Sequence, residues 1–343
     1  MMIAWALVFI GILLVARANA FSATPNTYPS PPRNCGFSAD EWEQRCELAV
    51  SYRIAHMEGW AMNIFNHITL KVKASELLPN GPHFLLNSYG EGFDEITASS
   101  LLKVTLDGTQ VPPSQGRVFK PGYVLHSALH EGREDVHAIW HCHQLESTAI
   151  CQTTTGLLPL SQEATFALAK GVAYHPYEGS VNSVDEQPRF LQSLGPTNKV
   201  RVSHHICPLC NILLIQISTF ILISRSPSLR QVLMLEDHGP LVVGSRLEEA
   251  FSTMWFLTRA CQYQVRAMSS VGGDLSRINI PTEKIEKEMN DRADKFDEAP
   301  TIKIRREDGV EEEVVEKHDT EALMFHCARR AAEREFGAKN IYV

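Results

Sequence analysis

Positive charge is scarce in this sequence: 32 lysines and arginines stand against 40 acidic residues in 343, a net charge of −8. A chain so balanced lacks the basic surface that holds phosphates, which excludes a nucleic-acid partner. Long apolar runs are also missing. None reaches the roughly 18–20 residues that cross a bilayer, so no transmembrane span is expected in the mature chain. The glycan acceptor Asn-x-Ser/Thr occurs nowhere. Cysteine is thin, its eight copies scattered without the dense framework of small secreted domains. What is abundant is ordinary: 44% hydrophobic and 21% charged residues, enough for one large core or two modest ones.

The ends differ from the middle. Residues 1–20, "MMIAWALVFIGILLVARANA", carry an apolar stretch and an Ala18-Asn19-Ala20 site, and read as a secretory signal without its positive start. Residues 21–37 read as a Pro/Ser-rich linker without core residues. A signal implies export, whereas the missing glycan acceptor and scattered cysteines suit a cytoplasmic chain with a misassigned first exon. Beyond Gly273 the sequence turns acidic, and residues 276–343 read as an extension with a hairpin near Asp308-Gly309 and a last helix.

Between these ends, strand and helix signals alternate with short connections, predicting one α/β domain over residues 38–275. Ser38 with Glu41 three residues on predicts a capping box and a helix to about Trp60. "HITLKV" and "HFLLN" predict strands joined at "LPNG". "EITASSLLKVTLDG" predicts a short helix and a strand, and "YVLHSALHEGRED" a helix before the strand "VHAIWHCH". "VLMLEDHGPLVVG" predicts two strands turning at His238-Gly239. Ser245 with Glu248 predicts a second capping box before a long helix.

Residues 200–231, "VRVSHHICPLCNILLIQISTFILISRSPSLRQ", break the pattern. They hold a β-branched apolar run that would be aggregation-prone as a loop. Val200-Arg201-Val202 and Gln231 can be encoded by the two ends of an intron, and the block reads as a retained intron translated in frame. His204, His205, Cys207 and Cys210 have zinc-like spacing, but a second Cys-x-x-Cys is missing.

The chemistry concentrates in "VHAIWHCHQLESTA". Side chains two apart on a strand share a face, so His141 and His143 project together and can meet one cation. Two histidines alone do not make a site. His238 is a third candidate donor at a strand end, and three imidazoles with an open fourth position form the pattern of a catalytic metal site.

The stretches "NHITLKV", "EITASSLLKVTLDG", "YVLHSALHEGREDVHAIWHCH", "GLLPLSQEA", "LGPTNK", "VLMLEDHG" and "GSRLEEAF…ACQYQVRAMSSVGG" together resemble the class II aldolase/adducin family, nearest its adducin-type head. The resemblance implies a three-layer α/β/α sandwich around a largely antiparallel sheet, usually a homotetramer. It also implies a divalent metal, zinc or else Fe2+ or Mn2+, on His141, His143 and His238. Sugar-phosphate aldolases of the family carry an acid/base glutamate where this chain has Gly122, so no catalytic residue carries over. Losing such a group typically costs on the order of 10²–10⁴ in rate. Asn66, Ser88, Gly90 and Lys120 match or replace substrate and anion contacts. Two functions follow: an adducin-like scaffold with a cytoskeletal or actin partner, or a metal-dependent enzyme of altered chemistry (lyase, epimerase, dehydratase or iron oxygenase). Against full adducin behaviour, no lysine-rich tail follows the head.

Overall fold

The computed structural model describes residues 28–72, 82–179, 181, 183–195, 230–282, 288, 302–305, 311–314 and 319–343. Helix α1 (Ala39–Met57) opens where Ser38 accepts the Glu41 N–H at 3.0 Å. Only half of the expected capping box forms. The Glu41 carboxylate turns inward to Arg45 Nε at 2.8 Å and Lys103 Nζ at 2.5 Å, because those buried cations need it more than the helix end does.

Seven strands follow: β1 (His67–Lys71), β2 (His83–Leu86), β3 (Leu102–Thr105), β4 (Ala138–His141), β5 (Val172–His175), β6 (Val232–Leu235) and β7 (Gly239–Gly244). They make one sheet in the order β3-β2-β1-β4-β7-β6-β5. Only the β5–β6 pair is parallel; every other pair is antiparallel. The expected largely antiparallel α/β sandwich is the observed fold. The turn "LPNG" and most of the block 200–231 lie outside the described residues, as do residues 1–20 with the signal reading.

Helices α2 (Lys120–Gly132), α3 (Leu145–Cys151), α4 (Gln162–Ala169), α5 (Gln187–Leu194) and α6 (Leu247–Ser270) cover the sheet. The strand period of two sorts its side chains between the layers. Trp140, Met234 and Val242 join the core shared with α1 and α6, while Ile139, Leu233 and Leu241 join that of α2 and α5. His141 is two residues from Ile139 and therefore falls on the α2 side. That alternation decides on which face of the sheet the histidines collect.

Three local expectations are corrected. The short helix in "EITASS" is a run of turns, held by reciprocal bonds between Thr97 and Ser100. Side-chain-to-backbone bonding of this kind competes with helix. Ser245 is held by Glu249, not Glu248, through both its N–H at 2.7 Å and its hydroxyl at 2.8 Å. The segment before residue 38 has core residues after all: Tyr28 and Phe37 pack on the main cluster, and Trp42 Nε1 donates to the Pro29 carbonyl at 2.7 Å.

The C-terminal segment, read as an extension, also touches the head. A hairpin pairs β8 (Ile302–Arg305) with β9 (Glu311–Val314). Helices α7 (Thr320–Ala332) and α8 (Ala338–Tyr342) then place Phe325, Ala332, Ile341 and Tyr342 in the same core cluster as α1 and α6. The Ala98 N–H donates to the Ile341 carbonyl at 3.0 Å, and Arg329 lies over the Tyr28 ring. The acidic composition of the preceding stretch hid this, since a helix needs only one apolar stripe to dock.

Candidate metal centre

Two segments bring three imidazoles to one end of the sheet. Strand β4 ends on His141, and His143 follows two residues later, beyond the strand proper. His238 stands in the turn between β6 and β7, whose tight path uses Asp237 at φ 55, a left-handed position that aspartate tolerates. The next residue must be glycine: a Cβ on Gly239 would lie 2.7 Å from the Cys142 carbonyl oxygen and 3.1 Å from the His143 ring. Without a side chain there, the turn rests directly on the His143 segment.

The ring centroids of His141, His143 and His238 form a near-equilateral triangle with sides of 4.8, 5.0 and 4.7 Å, each ring nearly perpendicular to the others. One ligand nitrogen from each lies within 4.8 Å of the other two, and the Nε2 atoms of His141 and His143 are 3.0 Å apart. The His141 Nδ1–H donates to the Pro240 carbonyl at 3.0 Å, an assignment that follows from the acceptor's lacking a proton. That bond orients the ring and leaves Nε2 as a lone pair toward the others, the outer support that metal-binding histidines commonly have.

Burial keeps all three neutral. It drives His141 well below the ordinary histidine range, with the other imidazoles adding repulsion. His143 is pushed down to about 4, first by burial and then by His238, and His238 is lowered by burial. Neutral, convergent nitrogens suit a borderline-soft divalent cation, and three protein donors leave a coordination position open. The residues thus fit such an ion, and among the described residues no other group of histidine, cysteine or carboxylate side chains does so.

A fourth histidine borders the triangle. His67 begins β1, directly across the antiparallel pair from His141, and its ring centroid is 5.1 Å away. It is 5% exposed, and neither ring nitrogen makes a well-formed hydrogen bond, although the Phe65 carbonyl lies within reach. Burial, then the positive charge that His143 and His238 would carry, pushes it down to about 3. Tyr52 on α1 fixes this corner: its hydroxyl accepts the N–H groups of Ile68 at 3.0 Å and Asn87 at 3.1 Å.

Behind His67 runs a buried chain whose tautomers follow from its far end. The Val136 carbonyl accepts from His130 Nδ1 at 3.2 Å, so His130 Nε2 accepts the Thr69 hydroxyl proton at 2.8 Å. Thr69 Oγ1 must then accept from His126 Nδ1, also at 2.8 Å. His126 Nε2 is left as a bare lone pair, with its ring centroid 4.3 Å from that of His67. The spacing of "HSALH" puts His126 and His130 one helical turn apart on α2, but sequence alone gave them no role.

Gly122, where a glutamate was expected to be missing, sits against His67. A Cβ at this position would come 2.8 Å from Cδ2 of that ring and 2.9 Å from Nε2. The proposed anion contacts gather nearby. Tyr89 stacks on Phe119 at 4.7 Å, setting the Ser88–Gly90 turn beside the start of α2, where Lys120 is exposed. Ser88 Oγ accepts the Arg117 N–H at 3.2 Å, and Asn66 Oδ1 accepts from the Met62 N–H. Gly90, at φ 108, has open space above it. On the other flank of His238, a shallow depression is lined by His175, Tyr177, Glu178, Phe190 and Glu236.

Known proteins share this frame. The family model of the Class II Aldolase and Adducin N-terminal domain matches residues 46–205 and 223–265, more than half the chain, and its break falls inside the atypical block 200–231. A Caulobacter vibrioides protein whose name assigns it to aldolase class 2 is 35% identical over 237 residues, covering 69% of this chain and 77% of that one. Alpha-adducin of Rattus norvegicus is 34% identical over 294 residues; the match spans 77% of this chain and only 34% of adducin. The crystal structure of an aldolase II superfamily protein from Pseudomonas syringae superposes with a TM-score of 0.66 and 28% identity, over 89% of this chain and 97% of that one. A strand-end histidine triangle on this sheet and these matches together place the chain in the class II aldolase and adducin family.

Proposed function

We propose that the chain binds one divalent cation on His141, His143 and His238 and carries out metal-dependent chemistry other than sugar-phosphate aldol cleavage. The observation that carries this reading is the triangle of neutral imidazoles with one tautomer fixed by Pro240. Three ring nitrogens converge on one partly buried place, two of them only 3.0 Å apart, an arrangement that one shared cation would satisfy. When bound, such an ion supplies Lewis-acid polarisation of an oxygen ligand at its open position. Protein side chains do the rest: His67 borders that position, and Asn66, Ser88, Gly90 and Lys120 form an edge suited to an anionic substrate group.

Aldol cleavage is set aside because Gly122 has no side chain to move a proton and because His67 fills the space beside it. Gly122→Glu is therefore expected to gain no retro-aldol activity. It should lower the urea midpoint by an amount corresponding to about 1–3 kcal/mol of overpacking. A Gly122→Glu protein with wild-type stability and new cleavage of a ketose 1-phosphate would reverse this conclusion.

A second reading, an oligomeric adducin-type scaffold with a cytoskeletal partner, is supported by the adducin match, though that match covers the head alone. Elemental analysis of protein purified without an affinity tag separates the two. About one equivalent of zinc, iron or manganese per chain supports the metal centre; metal-free wild type that remains so after incubation with each ion supports the scaffold.

A further inference from the structure

Gly122 and His67 are a matched pair. The imidazole occupies the volume that any side chain on the first turn of α2 would claim, and it is aimed at the triangle's edge from β1. Its two nitrogens are buried and make no well-formed hydrogen bond, the Phe65 carbonyl being the one backbone group within reach, an unfavourable state for a polar ring unless something else completes it. The ring lies outside the set of nitrogens within 4.8 Å of one another, so it stands beside the three donors and not among them. A nitrogen just beyond a cation's donors is at the right remove to hydrogen-bond an atom the cation holds.

Resting on the metal-centre reading above, we propose that His67 is a ligand-contacting residue. Its ring N–H donates to the oxygen of a carboxylate- or hydroxamate-like ligand at the cation's open position. The donor comes from β1, across the sheet register, where a family aldolase would present a carboxylate from α2. His126, whose Nε2 is a fixed lone pair beside the ring, and the Gly122 backbone hold His67 in place without bonding its nitrogens. The assignment implies a preference for ligands that offer an accepting oxygen. It also explains why position 122 is bare: a side chain there would displace the donor.

The test uses the full chain loaded with Co(II), whose visible spectrum reports both metal uptake and acetohydroxamate binding. Wild type, His67→Leu, His67→Asn and Gly122→Ala are compared, with circular dichroism as the check on folding. His67→Leu removes two buried nitrogens that make no well-formed hydrogen bond, so it is expected to fold. All four proteins should bind one Co(II) with affinities within about threefold. Acetohydroxamate should bind at least about tenfold more weakly to His67→Leu, the loss of one hydrogen bond to a charged oxygen. Gly122→Ala, which touches no metal ligand but displaces the ring, should show the same direction of change.

Equal acetohydroxamate affinity in wild type and His67→Leu overturns the assignment and leaves the metal centre standing. A Co(II) affinity that falls a hundredfold in His67→Leu also overturns it, by making His67 a direct ligand. Wild type that takes up no Co(II) removes the metal centre and this assignment together.

Discussion

His238→Ala is expected to lose stoichiometric metal while keeping its fold. In the proposed centre the position supplies one of three donors, from a turn whose flanking strand β6 is paired with β7 along its whole length. Deleting a half-buried ring at that turn leaves the ladder intact, so circular dichroism should not change. Affinity should fall by more than the roughly 10–100-fold that losing an outer-shell partner costs, since a direct ligand is gone. Thermal unfolding gives the second readout. A cation present at about a thousand times its dissociation constant stabilises the native state by about 4 kcal/mol. For a domain of this size that corresponds to a shift of roughly 10 °C. Wild type should show the shift on adding Zn(II), and His238→Ala should not. Equal shifts in both proteins would take His238 out of the centre.

The metal-free protein is expected to lose stability steeply on mild acidification, and the cause lies behind the site. His126 and His130 are fully buried; burial holds His130 down to about 3 and His126 well below the ordinary range. The unfolded chain binds protons on both rings near pH 6.5, while the native chain cannot. Below that pH the unfolded state carries the extra protons, so stability falls as pH falls, from 6.5 toward about 3. Two such rings together cost about 4 kcal/mol at pH 5, a large share of the about 5–15 kcal/mol that holds a typical domain together. Urea midpoints measured in chelator between pH 7.5 and 5 should drop steeply. A flat profile would show that one of these rings takes up its proton in the native state.

Local sequence carried much of the fold. The short apolar runs in "VHAIWHCH" and "VLMLEDHGPLVVG" marked β4, β6 and β7, and Ser38 marked the start of α1. Where side chains had a stronger partner elsewhere, local rules failed. Glu41 left its cap for Arg45 and Lys103, and Thr97 and Ser100 bonded to backbone in place of a helix. The docking of α7 and α8 was hidden because composition averages over a segment, whereas packing depends on a few residues such as Phe325 and Tyr342.

The centre divides in the same way. Short windows of sequence pointed to three candidate histidine donors near strand ends, because a strand's spacing and a turn are properties of neighbouring residues, whereas Gly122 stood out through the family resemblance. It took the packed sheet to bring the three rings into one triangle and to set His67 across from His141. Pairing between strands 70 residues apart is set by which faces are buried and which helices cover them, and no window of neighbouring residues contains that information.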